Sequence, residues 1–466
     1  MPAARRASTG FPMRHRASGG SDADTPPDLL LIGVSTRALA ASVRRSGFRG
    51  ALNALDLFGD LDQEALCRSL VPGRDVPGGR NVASLLRAAI SLRPRAVMFS
   101  GGMENHPRLL YRLERRTTIL GNSARSVRLV RDPSHFFRCL DAARIPHPRT
   151  WIEFRAGRRI PDEARALAGA GRLLWKPRLG GGGVRIRAVT AGGGAVLGPG
   201  ENPGGPARGG ARAVVSRSGR GPARPRLAAR ARGAPGIPRG GYLQERVDGI
   251  PASISFVADG RRCRILGYCQ GLAGEPGLGA GGFLYAGNLW GPPAAWLPAA
   301  ARETLARAAR HLTREFGLRG LNGIDFILAE GHPLLLEVNP RCTASMELIE
   351  EGWERSLFAV HRQACLRGRL PAPPGAEDEG VPASGWMGKG ILYAGERLRV
   401  GDAVPFRRAQ VRDIPRPGSV VEAGWPLCTV VARAAGTEAC RRILLQRAAG
   451  LRRLLAAGAR RRRASC

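Results

Sequence analysis

The chain has 466 residues, room for about two to four domains with a sizeable core, and a formal net charge of +36. The charge alone suggests a polyanionic partner, but more than half of it lies in three low-complexity segments, residues 1–20, 191–240 and 441–466. Nine cysteines without C-x-x-C spacing argue against a disulfide framework or a zinc site. No window is apolar enough for a signal peptide or a membrane span, so we expect a cytoplasmic protein.

The N-terminal part reads as a tail followed by an α/β domain. Residues 1–27 are basic and polar, and we expect them to be disordered. The apolar run at residues 28–34, the Ser35-Thr36 pair and the helical spacing that follows predict a strand, a capped turn and a helix. This pattern is typical of a parallel α/β unit, and we place the domain at residues 28–125.

A further strand, residues 95–100, is followed by Glu104 and Asn105. In doubly wound sheets, ligands bind beyond the carboxyl ends of the strands, which would place these two side chains against a substrate. The same residues also suit the cap of a helix that begins near Pro107. The sequence leaves both interpretations open.

A strand at residues 173–178 leads into four consecutive glycines, Gly180, Gly181, Gly182 and Gly183. Without Cβ atoms, such a loop leaves its backbone N–H groups free to approach phosphate oxygens. Lys176 precedes the loop and is one of only two lysines among 73 Lys and Arg residues, which indicates a position that prefers a point charge to a planar guanidinium. A glycine-rich linker would share the glycine content, so the loop alone does not decide the function.

Residues 191–240 interrupt the pattern. They contain 14 Gly and 7 Pro in 50 residues and no aromatic residue, which is too little apolar surface for a core. We expect a disordered insertion or an out-of-frame translation of GC-rich DNA. Its Arg-Gly-Gly pieces are similar to RNA-binding segments, but without interleaved aromatic residues nucleic acid is not expected as a partner.

The stretch from Gly323 to Arg341 predicts a β-hairpin with a three-residue loop at residues 330–332. In that register Asp325 pairs with Glu337, and Ile327 pairs with Leu335. The even-numbered positions are apolar and are expected to form the core face: Phe326, Leu328, Leu334, Leu336 and Val338.

The other face of the hairpin carries Asp325 opposite Glu337, with Asn339 two residues further along. Two carboxylates about 5 Å apart repel each other unless a cation lies between them. Mg²⁺ prefers a few carboxylate or amide oxygens and takes its remaining ligands from water and phosphate. The alternative is an exposed hairpin whose carboxylates are solvated or neutralised by arginines.

At this point the sequence resembles a known family. GIDF followed by LEVNPR is similar to the C-terminal metal-binding hairpin of the ATP-grasp superfamily, whose members mostly join a carboxylate to an amine through an acyl phosphate. The resemblance implies ATP and Mg²⁺ (or Mn²⁺) as cofactors, with the metal on Asp325, Glu337 and Asn339. It also implies that Arg341 and Lys176 act on the transferring phosphoryl group and that Lys176 and the four glycines bind ATP.

The same resemblance assigns the hinge of a nucleotide cleft to residues 242–249. It implies that five consecutive residues there contact the nucleotide, the backbone of the middle three at the adenine edge: Gln244, Glu245, Arg246, Val247 and Asp248. The family's ribose carboxylate is replaced here by Ala252 and Ser253, so Asp248 or Glu245 would substitute. Arg131 is either a phosphate contact or an ordinary surface charge.

These features predict an α/β fold with three parts. A Rossmann-like N-terminal domain (28–125) precedes a two-lobed α+β ATP-grasp domain (126–370, interrupted at 191–240). A small β-rich cap (384–440) and a basic helix with a tail (441–466) follow. Lys389 either reaches the cleft or is a surface residue.

The function implied by the resemblance is an ATP- and Mg²⁺-dependent carboxylate–amine ligase of small-molecule or cofactor biosynthesis. Its substrates would be a small-molecule carboxylate and an amine, and a homodimer is one expected assembly. Among ATP-grasp enzymes, the sequence is similar to ligases of C1-carrier cofactor synthesis such as tyramine–glutamate ligase. The alternative is a non-catalytic nucleotide-binding protein that binds RNA through its Arg/Gly-rich segments.

Overall fold

The computed structural model describes residues 26–152, 160–190, 195–197, 238, 240–372, 385–409 and 411–464. Most of the predicted tail and most of the predicted insertion therefore lie outside the described residues. Within the insertion, Ala195–Leu197 forms a strand paired with residues 187–189, so the prediction of disorder was wrong for these three residues.

The N-terminal part is a five-stranded parallel sheet in the order β3-β2-β1-β4-β5. All four residues of β1 are buried, as expected for a parallel sheet covered by helices on both faces. The strands are β1 Leu29–Ile32, β2 Leu52–Leu55, β3 Arg68–Leu70, β4 Ala96–Phe99 and β5 Thr118–Ile119, and the helices are α1 Arg37–Arg45, α2 Val82–Leu92 and α3 Pro107–Glu114.

The predicted cap of α1 takes a different form. Thr36 is the residue before the helix, but its side chain makes no capping hydrogen bond. Its hydroxyl instead donates to Asp56 at 2.7 Å and lies 2.8 Å from Gln63. The buried Asp56 needs these donors, and this tertiary contact replaces the local one.

A second, smaller sheet has the order β6-β10-β7-β8-β9, with antiparallel neighbours. Its strands are β6 Thr150–Trp151, β7 Leu173–Pro177, β8 Arg187–Val189, β9 Ala195–Leu197 and β10 Gly241–Glu245. Helices α4 Ala124–Val130 and α5 Pro133–Ala142 connect the N-terminal sheet to it, and α6 Asp162–Gly169 precedes β7. The glycine loop joins β7 to β8.

The largest sheet has seven antiparallel strands in the order β15-β14-β11-β12-β13-β16-β19. Its strands are β11 Ile250–Asp259, β12 Cys263–Ala273, β13 Tyr285–Trp290, β14 Arg319–Ala329, β15 His332–Asn339, β16 Trp386–Tyr393 and β19 Pro426–Ala434. Helix α7 Ala299–Phe316 buries Leu305, Ala308, Ala309 and Leu312 in the core beside β11 and β14. Helices α8 Met346–Trp353 and α9 Leu357–Arg367 follow the hairpin.

The C-terminal strands β16 and β19 continue this sheet. A two-stranded sheet of β17 Leu398–Arg399 and β18 Val420–Val421 and the short helix α10 Val404–Arg408 lie between them in sequence. The final helix, α11 Thr437–Ala464, packs on the β16–β19 edge and includes the predicted basic helix. In the part of the chain that the structure describes, no helix is long and apolar enough to cross a membrane.

Polar contacts near β5 connect the N-terminal sheet to the largest sheet. The Asn122 amide donates to Asn322 Oδ1 at 2.7 Å and to Pro340 O at 2.9 Å. His361 on α9 lies between Leu120 O and the Leu321 N–H. The carboxyl end of β4 is thereby held beside the β14–β15 hairpin.

Candidate active site

Strands β14 and β15 form the predicted hairpin, and Asp325 lies directly opposite Glu337 as predicted. The loop, however, contains two residues rather than three, because Ala329 pairs with His332. Glu330 and Gly331 have φ angles of 49° and 80°, which are typical of a type I′ turn that matches the twist of the strands.

A β-bulge beside Asp325 compensates for the shorter loop. Ile327 pairs with Leu334, so the predicted pairing with Leu335 was wrong. One extra residue on β15 then restores the register at Glu337. The carboxylates face each other only because the turn and the bulge offset one another.

The bulge also exchanges the two faces of β15. Leu335 is fully buried, whereas Leu334 and Leu336 are only half-buried. The predicted core face is therefore confirmed on β14 and at Val338, and it was wrong at Leu334 and Leu336. Side chains alternate between the two faces of a strand, so one extra residue on β15 places every side chain before the bulge on the face opposite to the predicted one.

The opposed carboxylates respond differently to their surroundings. Burial raises the pKa of Asp325 to about 7, and the nearby charge of Glu337 adds to this effect. Burial also disfavours the ionised form of Glu337, but Arg131 and Lys176 hold its pKa below the ordinary value. The pair therefore carries a stable negative charge on Glu337 and a more easily protonated group on Asp325.

Arg131 follows α4 and is the centre of the cationic side of the site. Its Nη1 lies 2.7 Å from Glu337 Oε2, and its Nη2 donates to the Gly180 carbonyl and, at 3.4 Å, to Asn105 Oδ1. The side chain is 7% exposed, so its interpretation as an ordinary surface charge was wrong. No local pattern distinguishes it, because all three partners come from other parts of the chain.

Arg341 and Asn339 extend the network from the other side. The Asn339 amide donates to Asp325 Oδ2 at 2.8 Å, and Arg341 Nη2 donates to Asn339 Oδ1 at 3.0 Å. Arg341 Nε donates to Glu104 Oε1 at 2.8 Å. The Asn339 amide oxygen, predicted to face a metal, therefore faces Arg341 here.

Glu104 connects the N-terminal sheet to this network. It lies in a short 3₁₀ helix after β4, is 1% exposed, and its Oε2 atom has no hydrogen-bond partner among the described residues. Helix α3 begins after His106 without a side-chain cap, so the capping interpretation was wrong for Glu104 and Asn105. Three carboxylates and the cations of Arg131, Arg341 and Lys176 thus share one site.

Lys176 is positioned by the β7–β10 pairing, in which it lies opposite Tyr242. Its Nζ donates to Gln244 Oε1 at 3.1 Å and lies 5.8 Å from the centre of the Tyr242 ring. The Gln244 amide donates in turn to Thr150 Oγ1 at 3.0 Å. Gln244, expected to contact the nucleotide, here orients Lys176.

The glycine loop lies against the segment before β13. The Tyr285 N–H donates to Gly182 O at 2.9 Å, and a Cβ atom on Gly183 would lie 1.7 Å from Phe283 O, so this position requires glycine. Gly182 and Gly183 also have positive φ angles of 62° and 73°. Across the described residues, the N–H groups of Gly180 to Gly183 donate no hydrogen bond and remain free for a ligand.

The predicted hinge leads out of β10. The N–H groups of Glu245 and Arg246 donate to the carbonyl oxygens of Arg149 and Arg172, respectively. The side chains of the same two arginines form ion pairs with the Glu245 carboxylate. The Asp248 side chain is 82% exposed and lies 3.6 Å from Arg246 Nη2. No hydrogen bond or ion pair in the described structure joins Arg246, Val247 or Asp248 to the carboxylate pair, so the structure does not bring these predicted residues together with it.

Lys389 is not the surface residue that one of the two interpretations predicted. It is 5% exposed on β16, and its Nζ lies 2.5 Å from Glu347 Oε2. Glu347 also pairs with Arg37 at 2.6 Å and with Arg412 at 2.9 Å. This buried ion cluster joins α1, α8 and β16 and is a structural feature.

The donor set at the hairpin fits a magnesium ion that shares its coordination with phosphate. Asp325 Oδ1 and Glu337 Oε1 accept no hydrogen bond from the described residues. The described ranges contain no cluster of three or more His, Cys, Asp or Glu able to hold a metal unaided. Two carboxylates are the usual protein contribution to a Mg²⁺ site completed by nucleotide phosphates and water.

Comparison with known proteins agrees with this geometry. Residues 217–345 match the family model of an ATP-grasp domain. A 150-residue stretch is 29% identical to an uncharacterized protein of Methanocaldococcus jannaschii, and this match covers 32% of the chain and 34% of the relative.

Among solved structures, the fold is similar to biotin carboxylase from Campylobacter jejuni, in a complex with β-γ-ATP, with a TM-score of 0.59 at 14% identity over 89% of each chain. It is also similar to N5-carboxyaminoimidazole ribonucleotide synthetase from Thermus thermophilus, with a TM-score of 0.55 at 18% identity over 92% and 98% of the two chains. The corresponding Aspergillus clavatus synthase, complexed with ATP, gives a TM-score of 0.57 at 14% identity over 91% and 98%. Residues 217–345 are therefore similar to an ATP-grasp domain, and the chain shares its overall fold with these solved enzymes.

Proposed function

We propose that this protein is an ATP- and Mg²⁺-dependent ligase that joins a carboxylate to an amine through an acyl phosphate. The observation that carries the proposal is the half-buried pair of Asp325 and Glu337, directly opposed and surrounded by Arg131, Arg341 and Lys176. A purely structural hairpin does not need two half-buried carboxylates that face each other and share Arg131 with a glycine loop.

Asp325 and Glu337 would hold Mg²⁺ through the two oxygens that the described residues leave free, with Asn339 beside them. When bound, the metal would supply charge neutralisation on the phosphoryl oxygens. The Asn339 amide restrains Asp325, and Arg131 restrains Glu337, so both carboxylates are oriented before a ligand arrives. Such orientation by surrounding groups is common at metal sites.

Lys176, Arg341 and the glycine N–H groups would stabilise negative charge on the transferring phosphoryl group and the acyl phosphate. All of these donors are positioned in advance: Lys176 by Gln244, Arg341 by Glu104, and the loop by its contacts at Gly182. Hydrogen-bond donors that are already oriented in the folded state stabilise developing negative charge effectively, because no free energy is needed to reorient them during the reaction. The contact of Arg131 with Gly180 holds the glycine loop beside the carboxylate pair.

The similarity to structures crystallised with ATP or β-γ-ATP supports a nucleotide cleft in this fold. The carboxylate and amine identities, the nucleotide contacts of Glu245, Arg246, Val247 and Asp248, a cytoplasmic location and a homodimer stay predictions. So does the similarity to ligases of C1-carrier cofactor synthesis. The non-catalytic alternative depends on residues 191–240, which lie largely outside the described residues, and it does not account for the opposed carboxylates.

The test is ADP release from ATP with a panel of small carboxylates and amines. We expect ADP only when a suitable acid and amine are both present, and a loss of at least about 100-fold in Glu337→Gln. The matched control is Glu330→Gln, which changes an exposed glutamate in the turn of the same hairpin and should keep full activity. A Glu337→Gln protein that folds and turns over at the wild-type rate would contradict the metal assignment.

A further inference from the structure

A strongly basic groove lies away from the candidate active site, at the β11–β12 turn. Two adjoining cavities of about 790 Å³ and 660 Å³ share Arg261, Arg262 and Gly368 in their walls. These volumes are in the range of sites that enclose small ligands. Their walls come from the β11–β12 turn, the C-terminal half of α7, the start of β14 and the segment after α9.

Six of the lining arginines are exposed: Arg261, Arg262, Arg310, Arg314, Arg319 and Arg369. A seventh, Arg264, is half-buried, and its buried Nε has no partner among the described residues. Of the six, only Arg262 forms an ion pair within the described structure. The other five exposed arginines therefore line the groove without an ion pair among the described residues.

Asp259 is the one acidic residue among the described residues that line the groove, and both of its carboxylate oxygens already accept hydrogen bonds from the β11–β12 turn. Its Oδ1 accepts the backbone N–H groups of Arg261 and Arg262, at 2.9 and 2.7 Å. Its Oδ2 accepts from Arg262 Nε at 3.0 Å. Asp259 thus fixes the β11–β12 turn and leaves the other arginines free.

We propose that this arginine groove binds a small anion carrying two or more phosphate groups. Guanidinium groups bind phosphate oxygens in pairs, and several of them in one concave site are matched by a multiply charged ligand. Among the described residues, the groove lining includes no aromatic side chain on which a base could stack, which favours a compact phosphate anion over single-stranded nucleic acid.

The groove is separate from the proposed catalytic cleft. On β11, Ser253 pairs with Asp325, whereas Asp259 pairs with Arg319 at the other end of β14. Six residues of extended strand correspond to about 20 Å. The proposal is therefore independent of the proposed ligase activity.

The experiment is calorimetric titration of the full chain with tripolyphosphate in EDTA at fixed ionic strength. The groove variant is Arg261→Gln/Arg310→Gln/Arg314→Gln. The matched control removes the same charge from exposed positions on and after α3: Arg108→Gln/Arg112→Gln/Arg115→Gln. All substituted arginines are exposed, so both variants should fold, which circular dichroism would verify.

We expect the groove variant to bind tripolyphosphate at least tenfold more weakly than the wild type, and the control to change less than twofold. Equal weakening in both variants would mean that only the overall charge attracts the anion, and the proposal would be wrong. It would also be wrong if the groove variant bound as the wild type does, since the anion would then occupy another site. A 15-nucleotide RNA that binds the groove more tightly than tripolyphosphate would replace the small anion by nucleic acid.

Discussion

Acid is expected to loosen the attachment of the N-terminal sheet through a single buried histidine. His361 is 2% exposed, accepts the Leu321 N–H at Nδ1 (2.9 Å) and lies 3.1 Å from Leu120 O at Nε2. Burial lowers its pKa from the ordinary 6.5 to about 4, while the contact with Leu120 opposes that shift. A proton on Nδ1 would break the hydrogen bond with Leu321 and leave a charge in the core.

The sign follows from the depressed pKa. Between pH 6.5 and pH 4 the unfolded chain binds a proton at His361 that the folded chain rejects, so stability falls as the pH decreases through this window. Above pH 6.5 the contribution is complete, and below pH 4 it changes no further. From pH 7 to pH 4.5 the two pKa values give a loss of about 2.5 kcal/mol.

The measurement is urea unfolding at pH 7 and pH 4.5 for the wild type, His361→Gln and His332→Gln. Glutamine at position 361 does not titrate, so this variant should lose about 2.5 kcal/mol less than the wild type on acidification. His332 is exposed in the hairpin, and its variant should follow the wild type. Parallel pH dependence in the wild type and His361→Gln would refute the reasoning.

Three further predictions concern the site. Arg131→Gln leaves Glu337 without its ion-pair partner and should lower the free energy of unfolding by about 1–3 kcal/mol, measured by urea denaturation, because Glu337 is 30% exposed and water can solvate its charge. An unchanged midpoint would contradict the ion pair. Glu330→Asn places a residue that tolerates positive φ in the type I′ turn and should raise stability by up to about 1 kcal/mol in thermal unfolding, whereas a decrease would refute the turn assignment. Gly183→Ala should displace the glycine loop from Phe283 and weaken ATP binding at least about tenfold in calorimetry; wild-type affinity would show that the loop adapts.

The hairpin shows what a local sequence pattern predicts and what it leaves open. The sequence predicted that Asp325 and Glu337 face each other, and the structure contains this pairing. The sequence did not determine how the register is reached. The two-residue turn at Glu330-Gly331 shifts the strand pairing by one residue, and the bulge beside Asp325 shifts it back. A pattern of apolar residues cannot distinguish that arrangement from a longer loop without a bulge.

The sequence was sufficient to identify Lys176, the glycine loop and the hairpin as candidate site features. Each is a short segment whose residue types indicate the ligand that it could bind. The contacts of Arg131 and Glu104 were decided only by the tertiary structure. Arg131 is 206 residues from Glu337, and Glu104 is 237 residues from Arg341. Backbone geometry couples a residue only to its near neighbours in the chain, whereas burial and ion pairing depend on which distant segments pack together. In the sequence, an arginine on the surface therefore cannot be distinguished from a buried arginine that orients a carboxylate of another strand.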